Sequence, residues 1–197
     1  MSAAVTLWLE DDIPGVIKQA ATVLAAGAVI VFPTDTVYGL LAAITPASGY
    51  KMIYQLKQRS RTKPLQLLVN KQHAVFKEAS LCLAKLPQYR TQFASGRLTI
   101  VLSPATLPAL PSTVKKQQPG NIGLRCPAET HPVQQLLQRA EGLLWASSAN
   151  RSGSPPAVTA NDVMSWANSL AQPPGLIVLT NLSASGQPST ILDLACS

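Results

Sequence analysis

Ala28-Val29-Ile30-Val31-Phe32, Pro33-Thr34-Asp35-Thr36 and Val37-Tyr38-Gly39-Leu40 open a unit that Leu65-Gln66-Leu67-Leu68-Val69 closes. The first run is apolar and β-branched, and Pro33 and Gly39 punctuate the residues after it. Short runs of this kind read as strands rather than helices. Residues 47–58 carry Met52, Ile53 and Leu56 at helical spacing. The helix they predict ends in a cationic knot, Lys57-Gln58-Arg59-Ser60-Arg61-Thr62-Lys63-Pro64. The unit therefore reads as strand, polar turn, strand, helix, basic loop, strand. Two hydroxyls and a carboxylate at a strand end, close to a dense basic loop, suit a small polar or anionic ligand. An Asp- and Thr-rich turn beside a solvated loop fits the same residues.

Outward from this unit, Asp12 is placed to cap a helix with Pro14 in its first turn. Val16, Ile17, Ala20, Val23 and Leu24 supply its apolar stripe, and Gly27 stops it. Residues 71–94 predict one or two helices, broken at Pro87. Strands are expected at 98–102, 121–125, 143–146, 176–179 and 190–194, and helices at 131–141 and 159–170. Thr159 and Asp162 have capping-box spacing. Residues 103–120 hold four prolines and the pair Lys115-Lys116. They read as an irregular stretch, a lid or surface loop. Several strands follow one another without an intervening helix. The expected fold class is therefore α/β with α+β character, a twisted mixed parallel and antiparallel sheet flanked by helices. One domain over residues 1–197 is the simplest organisation.

Composition excludes several classes. At 47% hydrophobic residues the chain is not disordered. Cys82, Cys126 and Cys196 are far apart, which gives neither a zinc motif nor a disulfide framework. Lys18 and Gln19 interrupt the apolar residues 13–32, so a membrane span is not expected. Glu10-Asp11-Asp12 has the wrong charge for a signal peptide, and a cytoplasmic protein is expected. The formal net charge is +7, concentrated between Lys51 and Arg97, where ten Lys or Arg face Glu78 alone. Such a segment attracts an anionic partner, a nucleoside triphosphate or an RNA backbone.

Neither a P-loop nor a dinucleotide fingerprint is present. His73 and His131 sit at expected helix starts and read as structural. The nine acids are few, so paired-carboxylate hydrolysis is not expected. What remains is a set of hydroxyls, amides and cations, which suits adenylyl transfer. There the protein positions a nucleotide and neutralises its phosphates, with Mg²⁺ arriving on ATP.

Pro33-Thr34-Asp35-Thr36-Val37-Tyr38-Gly39, Lys57-x-Arg59, Lys63-Pro64-Leu65 and Ser148-Ala149-Asn150 with Ser152-Gly153 resemble the signatures of the YrdC/Sua5 family, the threonylcarbamoyl-AMP synthases. The matches run in order from residue 13 to residue 194. The resemblance implies a single-domain, short YrdC-like form with a concave basic cleft. It implies formation of L-threonylcarbamoyladenylate from L-threonine, bicarbonate or CO2, and ATP, with release of pyrophosphate. The product would serve the threonylcarbamoyl-adenosine modification of tRNA and pass to a separate transferase complex.

By resemblance, Thr36, with Thr34 beside it, Arg125, Ala146 and Ser189 fall on threonine-side positions. Arg59, Lys63, Thr99, Ser148, Asn150 and Pro156 fall on ATP-side positions. Lys57 and Arg59 match the catalytic Lys-x-Arg and are expected to face the phosphates. Arg125 matches the arginine that holds the threonine carboxylate, a task suited to a bidentate guanidinium. Ser60 stands where the family usually has Pro, and Phe93-Ala94-Ser95-Gly96-Arg97-Leu98 replaces the commoner Trp-Pro-Gly-Pro-Leu. Many members end in an Arg-Pro-Gly tail whose arginine contacts ATP. It is not seen here, which leaves Arg61, Arg97 or Arg151 as stand-ins. A different reading of the same charge is a non-catalytic module for tRNA or other double-stranded RNA. A family relative with the fold but another reaction is a third.

Overall fold

The computed structural model describes residues 4–181 and 185–195, so Cys196 lies outside the described residues. The chain runs β1 (Val5–Trp8), α1 (Ile13–Ala25), β2 (Val29–Phe32), β3 (Gly39–Ala43), α2 (Ser48–Lys57) and β4 (Gln66–Val69). It continues with α3 (Ala74–Cys82), α4 (Pro87–Ala94), β5 (Leu98–Leu102), α5 (Ser112–Gln117) and β6 (Ile122–Arg125). It ends with α6 (Val133–Arg139), β7 (Leu143–Ser148), α7 (Ala160–Asn168), β8 (Leu176–Leu179) and β9 (Thr190–Asp193). All nine strands among the described residues join one sheet, in the order β1-β8-β2-β3-β7-β4-β6-β5-β9. Pairs β1/β8, β2/β8, β4/β6 and β5/β9 are parallel, and β2/β3, β3/β7, β4/β7 and β5/β6 are antiparallel. The mixed sheet is as expected from the sequence.

Central strands read as continuous apolar runs because both faces are covered. Val29, Val31, Leu40, Ala42, Leu67, Val69, Leu143 and Trp145 point to one core layer, shared with Ile53, Leu56, Val75, Phe93 and Val163. Ile30, Phe32, Leu41, Leu68 and Leu144 point to the other, against Ile17, Ala20 and Leu24 of α1 and Val133, Leu136 and Leu137 of α6. The first layer runs on under β5 and β6 through Leu98, Ile100, Leu102, Ile122 and Leu124. The second stops at β4, so the same face of β6, β5 and β9 has no helix over it.

Local signals account for three of the helix starts. Asp12 caps α1 by accepting from the Gly15 amide, with Pro14 in the first turn. Thr159 and Asp162 form a full capping box at α7. Pro87 begins α4 rather than merely interrupting a longer helix.

Two expectations need correction. β1 was not expected: it is a four-residue edge strand, too short for a period to show. Residues 103–120 are not an irregular lid. They contain a 3₁₀ turn at Pro104–Thr106 and α5, and they bury Leu107, Leu110 and Val114. Gln117 Nε2 donates to Ile44 O (2.9 Å), and its Oε1 accepts from Trp145 Nε1 (2.5 Å). Gln118 bonds both the N–H and the C=O of Leu65 (2.9 and 3.0 Å), as a neighbouring strand would. The amide side chains give the segment's polar groups partners inside the fold.

Trp145 is fully buried beside Tyr50, ring centres 4.8 Å apart. Replacing it with Ala is expected to cost ~3–5 kcal/mol, the range for large aromatic truncations in a core. Leu81→Ala, at a position 72% exposed, is expected to stay within ~0.5 kcal/mol. Urea unfolding of both variants checks the contrast.

Candidate active site

The uncovered half of the second face is a cleft of about 650 Å³. Its floor is built by strand alternation. Thr99 and Val101 of β5, Gly123 and Arg125 of β6, Gln66 of β4 and Ala146 of β7 lie in register across adjacent strands. One wall is the basic loop with Arg59 and Lys63, and another is the segment from Pro188 to Asp193. Thr36 sits at one end and Ser148 along β7. Gly123 keeps the floor low. A Cβ there would meet Gln66 and Thr99 only at 3.6 Å, so a small side chain fits but would rise into the cleft.

Arg125 is the most constrained charge in the cleft, its side chain 3% exposed. Nη2 donates to Asp35 Oδ1 (2.6 Å) and Nε to Gly96 O (3.0 Å). Asp35 Oδ2 accepts from the Ala128 amide (3.1 Å). The guanidinium is therefore held flat by the 33–37 turn and by residue 96, with donors of Nη1 left over. The sequence groups the Asp35 carboxylate with the hydroxyls of the ligand turn but names no partner for it. Its partner lies 90 residues away, and no local spacing joins them.

Thr34 shapes the turn. Its hydroxyl donates to Val37 O (2.6 Å) and accepts from the Thr36 amide (3.3 Å), and it is buried. The Thr36 hydroxyl is 3.3 Å from it, and Thr36 O takes the Gly186 amide at 2.9 Å. Thr99 and Ser189 share a hydroxyl contact of 2.7 Å that ties β5 to the 188–193 wall. Arg59 binds its own loop, Nε to Lys63 O (3.3 Å) and Nη2 to Pro64 O (3.0 Å).

Lys57 is placed differently from the sequence expectation. It is 1% exposed, and Nζ donates inward to Ser148 O (2.5 Å), Asn150 Oδ1 (2.7 Å) and Asn150 O (3.0 Å), with Ser148 Oγ at 3.3 Å. Burial, with the Arg59 charge second, lowers its pKa from 10.5 to about 7. Four oxygen acceptors work the other way and favour the protonated form. Helical spacing carried the signal: Lys57 is four residues after Ile53, on the buried stripe of α2. Asn150 and Pro156 line an adjoining cavity of about 640 Å³ together with Trp166 and Arg151, not the main cleft. The Asn150 amide donates to Ser154 O.

His73 and His131 each use Nδ1 to accept a backbone amide at a helix start, from Val75 (3.1 Å) and Val133 (3.2 Å). Burial lowers both pKa values, so both rings are neutral structural caps. Among the described residues, no three His, Cys, Asp or Glu side chains come together to hold a metal ion. Asp193 is the carboxylate that lines the cleft beside Ile191. No helix among the described residues is long and apolar enough to cross a membrane.

The Sua5/YciO/YrdC family model, described as "Telomere recombination", matches residues 22–197. The chain belongs to this family. Threonylcarbamoyl-AMP synthase of Alkalilimnicola ehrlichii is 30% identical over 178 residues, covering 90% of this chain and 90% of that one. P. abyssi Sua5 complexed with L-threonine superposes with a TM-score of 0.74 at 26% identity, over 98% of this chain and 54% of that one. E. coli YciO has the same fold, with a TM-score of 0.77 at 20% identity over 99% and 91% of the two chains. Against four other curated relatives the chain spans 42% to 66% of their length.

Gly96 ties the pair to the backbone. Its φ is +82°, and an added Cβ would stand 2.2 Å from Asp35 Oδ2 and 2.9 Å from the Ala128 nitrogen. Gly153 has φ +90° with nothing within 4 Å. Gly153→Ala is expected to cost only the left-handed strain, ~1–2 kcal/mol. Gly96→Ala is expected to cost more and to displace Asp35. Thermal melting of both variants, with the mutant crystal structure at residue 96, checks this.

Proposed function

We propose that this protein makes L-threonylcarbamoyladenylate from L-threonine, bicarbonate or CO2, and ATP, releasing pyrophosphate. The observation that carries the reading is convergence. Segments near residues 36, 59–66, 99–101, 123–125, 146–148 and 188–193 meet in one cleft, with an anchored guanidinium at one end and a basic loop at the rim.

In this reading the threonine carboxylate pairs with the spare donors of Arg125, which Asp35 and Gly96 hold in plane. Thr36, the Ala146 backbone and Ser189 surround the amino acid. The threonine amine takes up CO2 as a carbamate and loses a proton. A carbamate oxygen then attacks the α-phosphorus, and the bond to the β,γ-pyrophosphate breaks. Arg59 and Lys63 face the departing phosphates, Thr99 and Ser148 offer hydroxyls to the nucleotide, and Asn150 and Pro156 border it from the adjoining cavity. Lys57 acts from behind, through Ser148 and Asn150.

Mg²⁺ would arrive on ATP and neutralise phosphate charge, which needs few protein ligands. Asp193 is placed to offer one carboxylate. The half-enclosed cleft limits water, which an acyl phosphate product requires. The adenylate would pass to a transferase that modifies tRNA, in the cytoplasm. An RNA-binding module finds less support. Tyr54 and Phe93 are buried, and Phe76 and Tyr89 pack on the same core, so the basic segment offers no stacking platform.

Pyrophosphate release from ATP and bicarbonate, with and without L-threonine and with serine as control, tests the reading. Release that requires threonine is expected; none, or release indifferent to the amino acid, contradicts it. Arg125→Lys is expected to lower kcat/KM for threonine by about tenfold or more, the loss of one charged hydrogen bond at ~1.5–3 kcal/mol. The KM for ATP should change far less.

A further inference from the structure

The Lys57 ammonium is bonded to oxygens alone, and all of them are neutral. They come from two residues, Ser148 and Asn150, each giving a carbonyl and a side-chain oxygen within 3.3 Å. Among the described residues the ion pairs are Lys71–Glu129 and Arg125–Asp35, so no carboxylate balances this charge. The same residue grips the loop a second time, because Lys57 O accepts from the Ser152 amide (2.9 Å). Ser148 faces the main cleft and Asn150 the adjoining cavity, so the ammonium sits where the two meet.

An oxygen cage around a small monovalent charge is the arrangement of a potassium or ammonium site, here filled by a cation tethered to a helix end. We propose that Lys57 is a positioning residue whose ammonium serves as an internal cation, drawing the oxygens of Ser148 and Asn150 together and fixing the turn between the two cavities. Without it, Asn150 O loses the ammonium, and only the turn's own bonds, Ser148 Oγ to Asn150 Oδ1 (2.6 Å) and the Asn150 backbone amide to Ser148 O (3.1 Å), are left to hold these oxygens, so the turn opens. With the side chain truncated, the cage accepts a free monovalent cation, ammonium or methylammonium above all, because these also donate hydrogen bonds. Burial acts against the charge and the acceptors act for it, which explains how a lysine can be both enclosed and held.

This inference deepens the synthase reading, yet its first test needs no substrate. Lys57→Ala is studied in ammonium, methylammonium, potassium and tetramethylammonium chlorides at equal ionic strength. Hydrogen exchange of residues 148–154 and the melting temperature are read without ligands, and threonine-dependent pyrophosphate release with them. Expected are faster exchange confined to that turn and a loss of turnover on the order of 100-fold, the scale of an ångström misplacement. Ammonium and methylammonium restore exchange protection, melting temperature and turnover in a saturable way, and tetramethylammonium restores none. Lys57→Met, which fills the space without a donor, shows the same opening and no response to any salt.

Unchanged exchange and melting in Lys57→Ala, with ATP affinity alone lost, would overturn the proposal and put Lys57 on the phosphates. Failure of every cation to restore protection, including a variant that stays unfolded in all four salts, overturns it as well. A wild-type chain inert toward threonine and ATP sinks the synthase reading only, since the exchange and melting arms still decide the cage.

Discussion

The second face of the sheet is covered by α1 and α6 over β8, β2, β3, β7 and β4, and then the helices stop. The proposed site depends on that asymmetry. Alternation places every second residue of β5 and β6 in a continuous core layer, through Leu98, Ile100, Ile122 and Leu124. The residues between them, Thr99, Val101, Gly123 and Arg125, are left facing a space that no helix fills. A strand whose inner side is wholly apolar is rigid, so its outer side can hold polar groups in fixed register. The cleft is a consequence of packing one face fully and the other by half.

Within that frame, one ion pair crosses the molecule. Arg125 and Asp35 are nearly buried, at 3% and 15% side-chain exposure, and each has a second backbone partner. A pair of this kind contributes little net stability over an apolar substitute, but removing one partner leaves a charge uncompensated. Its value lies in geometry. It locks the turn after β2 to the end of β6, and it leaves part of a guanidinium free in a known plane. Gly96 is the backbone condition for the pair, because a side chain there would occupy the space of Asp35.

Much of this was legible in the sequence, and the reasons are local. The runs 28–32 and 65–69 are apolar because β2 and β4 are covered on both faces, and Asp12, Thr159 and Pro87 announce their helices through capping chemistry. Motif resemblance gathered the cleft residues into one set without saying how they touch. What the sequence did not disclose depends on distant partners. Gln117 and Gln118 look like loop residues until Trp145 and Leu65 are placed beside them. Asp35 looks like a turn former until Arg125 arrives. Lys57 sits in a basic knot whose neighbours point outward, and only its helical phase with Ile53 shows that it points in. Charge in a sequence reports composition, whereas direction comes from the packed helix.

The most direct measurement is a crystal structure with L-threonine and a non-hydrolysable ATP analogue bound together. The account predicts the threonine carboxylate on the free side of Arg125, next to Thr36, and the triphosphate along Arg59 and Lys63, with Lys57 still enclosed by Ser148 and Asn150. Threonine bound away from Arg125, or a triphosphate seated outside the cleft between β5, β6 and the basic loop, would contradict it.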